Sequence, residues 1–169
     1  ITLLLAPNPI SDVSGSSSTD LKLRFKKIIK NIFSIIEKFD NVKIIVKLHP
    51  IQLEHNEEIK SLITELDNAV PIYLLTSVID TINKADIVLS ISPDIPGTST
   101  MLLESMILGK PTMNVFFDKK IPEFYHVKNN AVFTVLDDNN LENNIKKLLF
   151  DEKFQNELIE NADNFVMKF

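Results

Sequence analysis

A chain of 169 residues that is 44% hydrophobic and 24% charged is long enough to bury a core as one domain and too apolar to be disordered. Its formal net charge of −5, with Lys+Arg 18 against Asp+Glu 23, argues against a general nucleic-acid binder, which needs a dense basic surface. Cysteine is absent, which excludes disulfides, thiolate metal sites and a cysteine nucleophile; the three glycines, Gly15, Gly97 and Gly109, stand too far apart to form a glycine-rich phosphate cradle.

Thr2 to Ala6 reads as a buried strand stopped by Pro7, and a polar loop, Ser11 to Thr19, follows. Leu21, Phe25, Ile28, Ile29, Ile32, Ile36 and Phe39 then recur at helical spacing, with Ser18, Thr19 or Asp20 as the N-cap. Val42 to Leu48 is a β-branched run suited to a strand buried on both faces, ended by His49-Pro50. A helix carrying Leu53, Ile59, Leu62, Ile63 and Leu66 follows, then a strand from Pro71 to Leu75, a short helix from Val78 to Lys84 and a strand from Ile87 to Ile91. Thr98 or Ser99 is expected to cap a helix running to about Leu108, stopped by Gly109 with Pro111 beyond. Two more strands, Thr112 to Phe117 and Ala131 to Leu136, and two helices, near Asn140 to Phe150 and Asp151 to Met167, complete the pattern.

Alternation of strands and helices over the whole length predicts an α/β fold: a three-layer, doubly wound, Rossmann-like and mostly parallel sheet of about six strands, forming a single domain over residues 1–169. In such sheets ligands bind at the carboxyl ends of the strands, near the point where strand order reverses. His49, Ser90, Ser92 and the stretch from Thr98 to Glu104 all follow strand ends. No apolar run approaches the ~18 residues needed to cross a bilayer. The chain starts without methionine, inside an apolar run, and is expected to be a piece of a longer protein.

Chemistry concentrates in Gly97-Thr98-Ser99-Thr100-x-x-x-Glu104. Hydroxyls and N–H groups at a helix N-terminus favour an anion such as a diphosphate. Glu104, about one turn further on, cannot ligate phosphate but can accept two hydrogen bonds from a ribose diol. Taken alone, such a stretch is more often a capped helix with a solvent-facing glutamate. Lys47 and His49 change that balance, because they bring an amine and an imidazole to the same edge of the sheet. His55 and His126 have no such placement and read as surface residues; the three histidines show no metal-ligand spacing, and no metal is expected.

The order Leu4-Leu5-Ala6-Pro7, Lys47-Leu48-His49-Pro50, Ser99-Thr100-x-x-x-Glu104 and Gly109-Lys110-Pro111 resembles the C-terminal, nucleotide-binding half of two-domain GT-B glycosyltransferases. Within that group it is most similar to CDP-glycerol glycerophosphotransferases, capsule-polysaccharide transferases and UDP-N-acetylglucosamine 2-epimerases. The resemblance implies transfer of a sugar or polyol phosphate from a nucleotide-activated donor, such as a UDP- or CDP-linked substrate, to a surface polysaccharide or related acceptor. It also implies no cofactor, an N-terminal acceptor domain as partner, and a cytoplasmic location, membrane-peripheral through the missing part. By the same resemblance Lys47, Thr98, Ser99, Thr100 and Glu104 would bind the nucleotide, and His49 would act on the donor phosphate or leaving group.

The chain departs from that pattern in two places. Its first loop has Asn8-Pro9-Ile10-Ser11-Asp12 where relatives carry a basic residue, and Ser14 to Ser18 with Gly15 are the groups on offer instead. No arginine follows Gly109-Lys110-Pro111, which ranks an epimerase-like reading below a transferase. A noncatalytic α/β interaction domain is the alternative from another class. A response-regulator receiver is disfavoured because Ala6-Pro7-Asn8 and Leu74-Leu75-Thr76 occupy the positions of its acidic residues.

Overall fold

The computed structural model describes residues 1–8, 18–50, 53–92, 99–116, 121, 123–138 and 140–168. Six strands, β1 (Thr2–Pro7), β2 (Lys43–Lys47), β3 (Ile72–Tyr73), β4 (Ile87–Ser92), β5 (Thr112–Phe116) and β6 (Phe133–Leu136), form one parallel sheet in the order β3-β2-β1-β4-β5-β6. Seven helices among the described residues connect and cover them: α1 (Ser18–Ile36), α2 (Leu53–Leu66), α3 (Val78–Asn83), α4 (Thr100–Ile107), α5 (Tyr125–Lys128), α6 (Leu141–Phe150) and α7 (Glu152–Val166). The chain builds outward from β1 through β2 to β3, then returns to lay β4 on the other side of β1. Strand order therefore reverses between β1 and β4.

Period-two alternation along the strands sends side chains to both faces. Leu3, Leu5, Val46, Leu89 and Val115 meet Phe25, Ile28 and Ile32 of α1, Ile59 and Ile63 of α2 and Ile145 of α6 in the larger core. Leu4, Ala6, Ile45 and Val88 meet Ile82 of α3 and Met101 of α4 on the other face. Leu102 and Met106 of α4 then pack on Ala162 and Phe165 of α7. The expected three-layer α/β architecture is the one observed.

Some boundaries differ from the sequence reading, each for a local reason. Pro7 is the last residue of β1, paired with Ile91, and does not end the strand before itself. The Asn8 N–H bonds the Ile91 carbonyl at 3.0 Å, so by alternation the proline nitrogen faces β2, which has already ended at Lys47. The missing donor falls where no strand needs it. Ser18, Thr19 and Asp20 lie within the first turn of α1 and not at the position before it. Phe39 lies beyond the end of α1, folded back by the Phe39 N–H to Ile36 carbonyl bond of 2.9 Å, with its ring edge-on to Phe150. β3 is shorter than expected because its one neighbour, β2, gives it only Val46 and Lys47 to pair with. The single turn α5 was too short to leave a periodic signal.

The surface assignment of two histidines is corrected. His126 is 2% exposed, stacked on Phe124 with ring centroids 5.5 Å apart, and burial lowers its pKa. His55 lies half-buried with its ring 5.4 Å from that of Phe25, and neither ring nitrogen finds a hydrogen-bond partner among the described residues. Burial is the largest influence lowering its pKa from the ordinary 6.5; Lys22 and Lys26 push the same way and Glu58 opposes them.

A depressed imidazole pKa means that the unfolded chain binds the proton more readily, so the neutral ring's contribution is complete above the ordinary value and is lost as pH falls below it. A His55→Phe chain is expected to show a smaller drop in thermal midpoint between pH 7.5 and pH 5.5 than the wild type. An unchanged drop would mean that His55 is as readily protonated in the folded chain as in the unfolded one.

Candidate functional site

At the reversal between β1 and β4, a cleft of about 190 Å³ opens between the carboxyl ends of β1 and β2 and the amino end of α4. It brings together Asn8, Lys47, His49, Ser99 and Thr100. Four of these five were expected from the sequence; Asn8 was not. Thr98 and the serine-rich first loop lie outside the described residues. A larger depression of about 430 Å³ lies at the opposite, amino-terminal edge of the sheet, between Phe33, Phe39, Val42, Val70 and Pro71. Size favours that depression over the cleft, but Thr2, Glu37, Lys43 and Asp67 in its lining lie at the amino ends of strands and the carboxyl ends of helices, away from the strand carboxyl ends where ligands bind in this architecture.

α4 is held on three sides. Met101, Leu102, Ser105 and Met106 are buried, and the Ser105 hydroxyl donates back to the Met101 carbonyl at 2.7 Å. The helix ends as the sequence predicts: Gly109 adopts φ +63°, its N–H bonds the Met106 carbonyl, and the Lys110 N–H bonds the Ser105 carbonyl, both at 3.0 Å. At the amino end Ser99 occupies the N-cap position, yet its side chain makes no capping bond. Its hydroxyl donates instead to Asn8 Oδ1 at 3.0 Å. Among the described residues nothing accepts from the N–H groups of Thr100 and Met101, which lie at the positive end of the helix.

Lys47 is 4% exposed, and its ammonium donates to the carbonyls of Leu48 at 3.1 Å and Leu74 at 2.7 Å. Burial lowers its pKa. The amine therefore ties the segment after β3 to the end of β2, so it presents less charge to the cleft than a free lysine would. His49 has its pKa lowered first by burial and then by the charge of Lys47, which favours the neutral ring. Its backbone carbonyl is fixed by Asn56 Nδ2 at 2.6 Å. Glu104 lies one turn along α4 from Thr100, as expected; its Oε2 is buried and has no hydrogen-bond partner among the described residues. A buried carboxylate oxygen without a donor is costly; Glu104 is not among the residues that line the cleft.

Solved structures with the same arrangement include UDP-N-acetylglucosamine 2-epimerase (16% identity, TM-score 0.61, covering 99% of this chain and 42% of that one). WaaG, a glycosyltransferase involved in lipopolysaccharide biosynthesis, matches at 17% identity and TM-score 0.62 over 99% of this chain and 43% of its own. A variant of S. aureus TarM in complex with fondaparinux, alpha-GlcNAc-glycerol and UDP matches at 16% identity and TM-score 0.62, over 98% and 32%. These structures share this chain's fold, a parallel sheet flanked by helices. The chain spans less than half the length of each of those chains. No protein-family model matches it, and no curated protein does. No helix among the described residues is long and apolar enough to cross a membrane, and no three potential metal ligands cluster among them.

Proposed function

We propose that the chain is the donor-nucleotide-binding half of a glycosyltransferase or glycerophosphotransferase, which moves a sugar or polyol phosphate from a nucleotide-activated donor to a surface polysaccharide or related acceptor. One arrangement carries this reading: the N-terminus of α4 lines the cleft at the strand-order reversal, and Glu104 Oε2, one turn along the same helix, has no hydrogen-bond partner among the described residues. In this reading the N–H groups of Thr100 and Met101, with the Thr100 hydroxyl and Thr98, receive the diphosphate, and Glu104 accepts from the ribose diol. The neutral ring of His49 donates to a phosphate oxygen, and Lys47 shapes the floor of the cleft. Charge that builds on the leaving diphosphate is met by donors already fixed in place, which stabilises the transition state without reorganisation. An N-terminal domain supplies the acceptor site and the catalytic base, on the cytoplasmic side of a membrane. An epimerase-like reading has the fold match to UDP-N-acetylglucosamine 2-epimerase in its favour.

Calorimetric titration of the 169-residue chain with UDP, CDP and GDP tests the proposal. Binding of at least one nucleotide in the millimolar range or tighter is expected, and Glu104→Ala is expected to weaken it about tenfold by removing charge-assisted hydrogen bonds. The same substitution is expected to leave the thermal midpoint unchanged or higher, because it deletes a buried acceptor that lacks a donor. Absence of binding to all three nucleotides would instead support a noncatalytic interaction domain.

A further inference from the structure

We infer that Asn8 is the positioning residue of the cleft: its carboxamide holds the Ser99 hydroxyl away from the end of α4, leaving that helix end open for an anion. The inference rests on the nucleotide-binding reading above and deepens it. Asn8 Nδ2 donates to the hydroxyls of Ser90 at 3.0 Å and Ser92 at 2.9 Å, and Oδ1 accepts from Ser99 at 3.0 Å. Ser92 in turn donates to Asn114 Oδ1 at 2.8 Å. The hydroxyl proton of Ser92 is thereby engaged, so Ser92 can only accept from Asn8, and this fixes which end of the carboxamide faces Ser99. Ser90 is fully buried and Asn114 is 5% exposed, so the chain of bonds is anchored inside the sheet.

The arrangement is unusual for a serine at an N-cap. Such a serine ordinarily turns its oxygen onto the N–H two or three residues ahead, which here belong to Met101 and Leu102. Ser99 has extended backbone angles, φ −58° and ψ 133°, from which that turn is available, yet its hydroxyl bonds Asn8 instead. A self-capped Ser99 would occupy a donor that a phosphate oxygen needs. With its proton on Asn8, the Ser99 hydroxyl turns only lone pairs toward an anion, so it serves the scaffold and leaves ligand binding to the neighbouring N–H groups and Thr100. Two residues 91 positions apart thus form one device.

Two single variants and their combination test this, with affinity measured well below the thermal midpoint for whichever of UDP, CDP and GDP binds the wild type. Asn8→Ala is expected to weaken binding about tenfold, because the released Ser99 hydroxyl caps the helix end, whereas Ser99→Ala, which leaves that end open, is expected to stay within about twofold of wild type. Because both act through one contact, the double variant, with no hydroxyl left to cap, is expected to recover most of the affinity lost in Asn8→Ala. A purely structural role would lower the thermal midpoint and leave the affinity of the folded chain unchanged. If Asn8→Ala fails to fold, Ser92→Ala, which frees one arm of the carboxamide, takes its place beside Ser99→Ala. A double variant that binds no more tightly than Asn8→Ala, or wild-type affinity in the Asn8 variant, overturns the inference while the nucleotide reading stands. A wild-type chain that binds none of the three overturns both.

Discussion

A Thr100→Glu chain is expected to keep wild-type stability, or gain slightly, while losing affinity for nucleoside diphosphates by about two orders of magnitude. The first turn of α4 carries no acidic residue, and Thr100 is exposed. A carboxylate there meets the positive end of the helix, which contributes about 0.3–1 kcal/mol. Glu104, four residues on, opposes it with a like charge, a repulsion of roughly 0.2–0.5 kcal/mol on a helix surface. The two nearly offset. For the ligand both effects have one sign: the new carboxylate occupies the helix-end donors and repels the diphosphate. Urea denaturation beside calorimetric titration checks the pair. Affinity within fivefold of wild type would remove the end of α4 from the site.

The second large effect lies in the core. Phe25 is fully buried at the centre of α1, beneath the ring of His55. Truncation of a buried phenylalanine to alanine costs about 3–5 kcal/mol, against a total stability of roughly 5–15 kcal/mol for a domain. Phe25→Ala is therefore expected to lower the urea midpoint by about a fifth or more, with an unchanged denaturant slope. Because α1 covers the sheet face opposite α4, the fraction that remains folded is expected to bind nucleotide normally. A loss below about 1 kcal/mol would show that the α1 face collapses to fill the space.

The fold was legible because its signals are local. β-branched runs such as Lys43-Ile44-Ile45-Val46, and the helical spacing of Phe25, Ile28, Ile29 and Ile32, report burial through periodicity alone, and Gly109 reports the end of α4. The site was legible in position and only partly in role. Spacing along one helix put Glu104 one turn from Thr100, but that its Oε2 lacks a donor depends on everything packed around it. Lys47 read as a free amine, because nothing in the sequence shows that the Leu74 carbonyl, 27 residues on, comes within 2.7 Å. Asn8 escaped notice for the same reason. Its partners are supplied by β4 and α4, which reach it only after the chain has crossed back over the sheet. His126 had no periodic neighbours to mark it as buried: a single helical turn among lysine and asparagines carries it inward.

The outermost strands of the sheet are also its shortest, two residues in β3 and four in β6, while the long apolar ladders of β1 and β4 lie inside. An edge that offers so few free N–H and C=O groups gives another chain little to pair with. Aggregation on heating should therefore begin only with global unfolding, when Thr2–Pro7 and Lys43–Lys47 are exposed together. Fraying at the rim of the sheet would not be enough to start it.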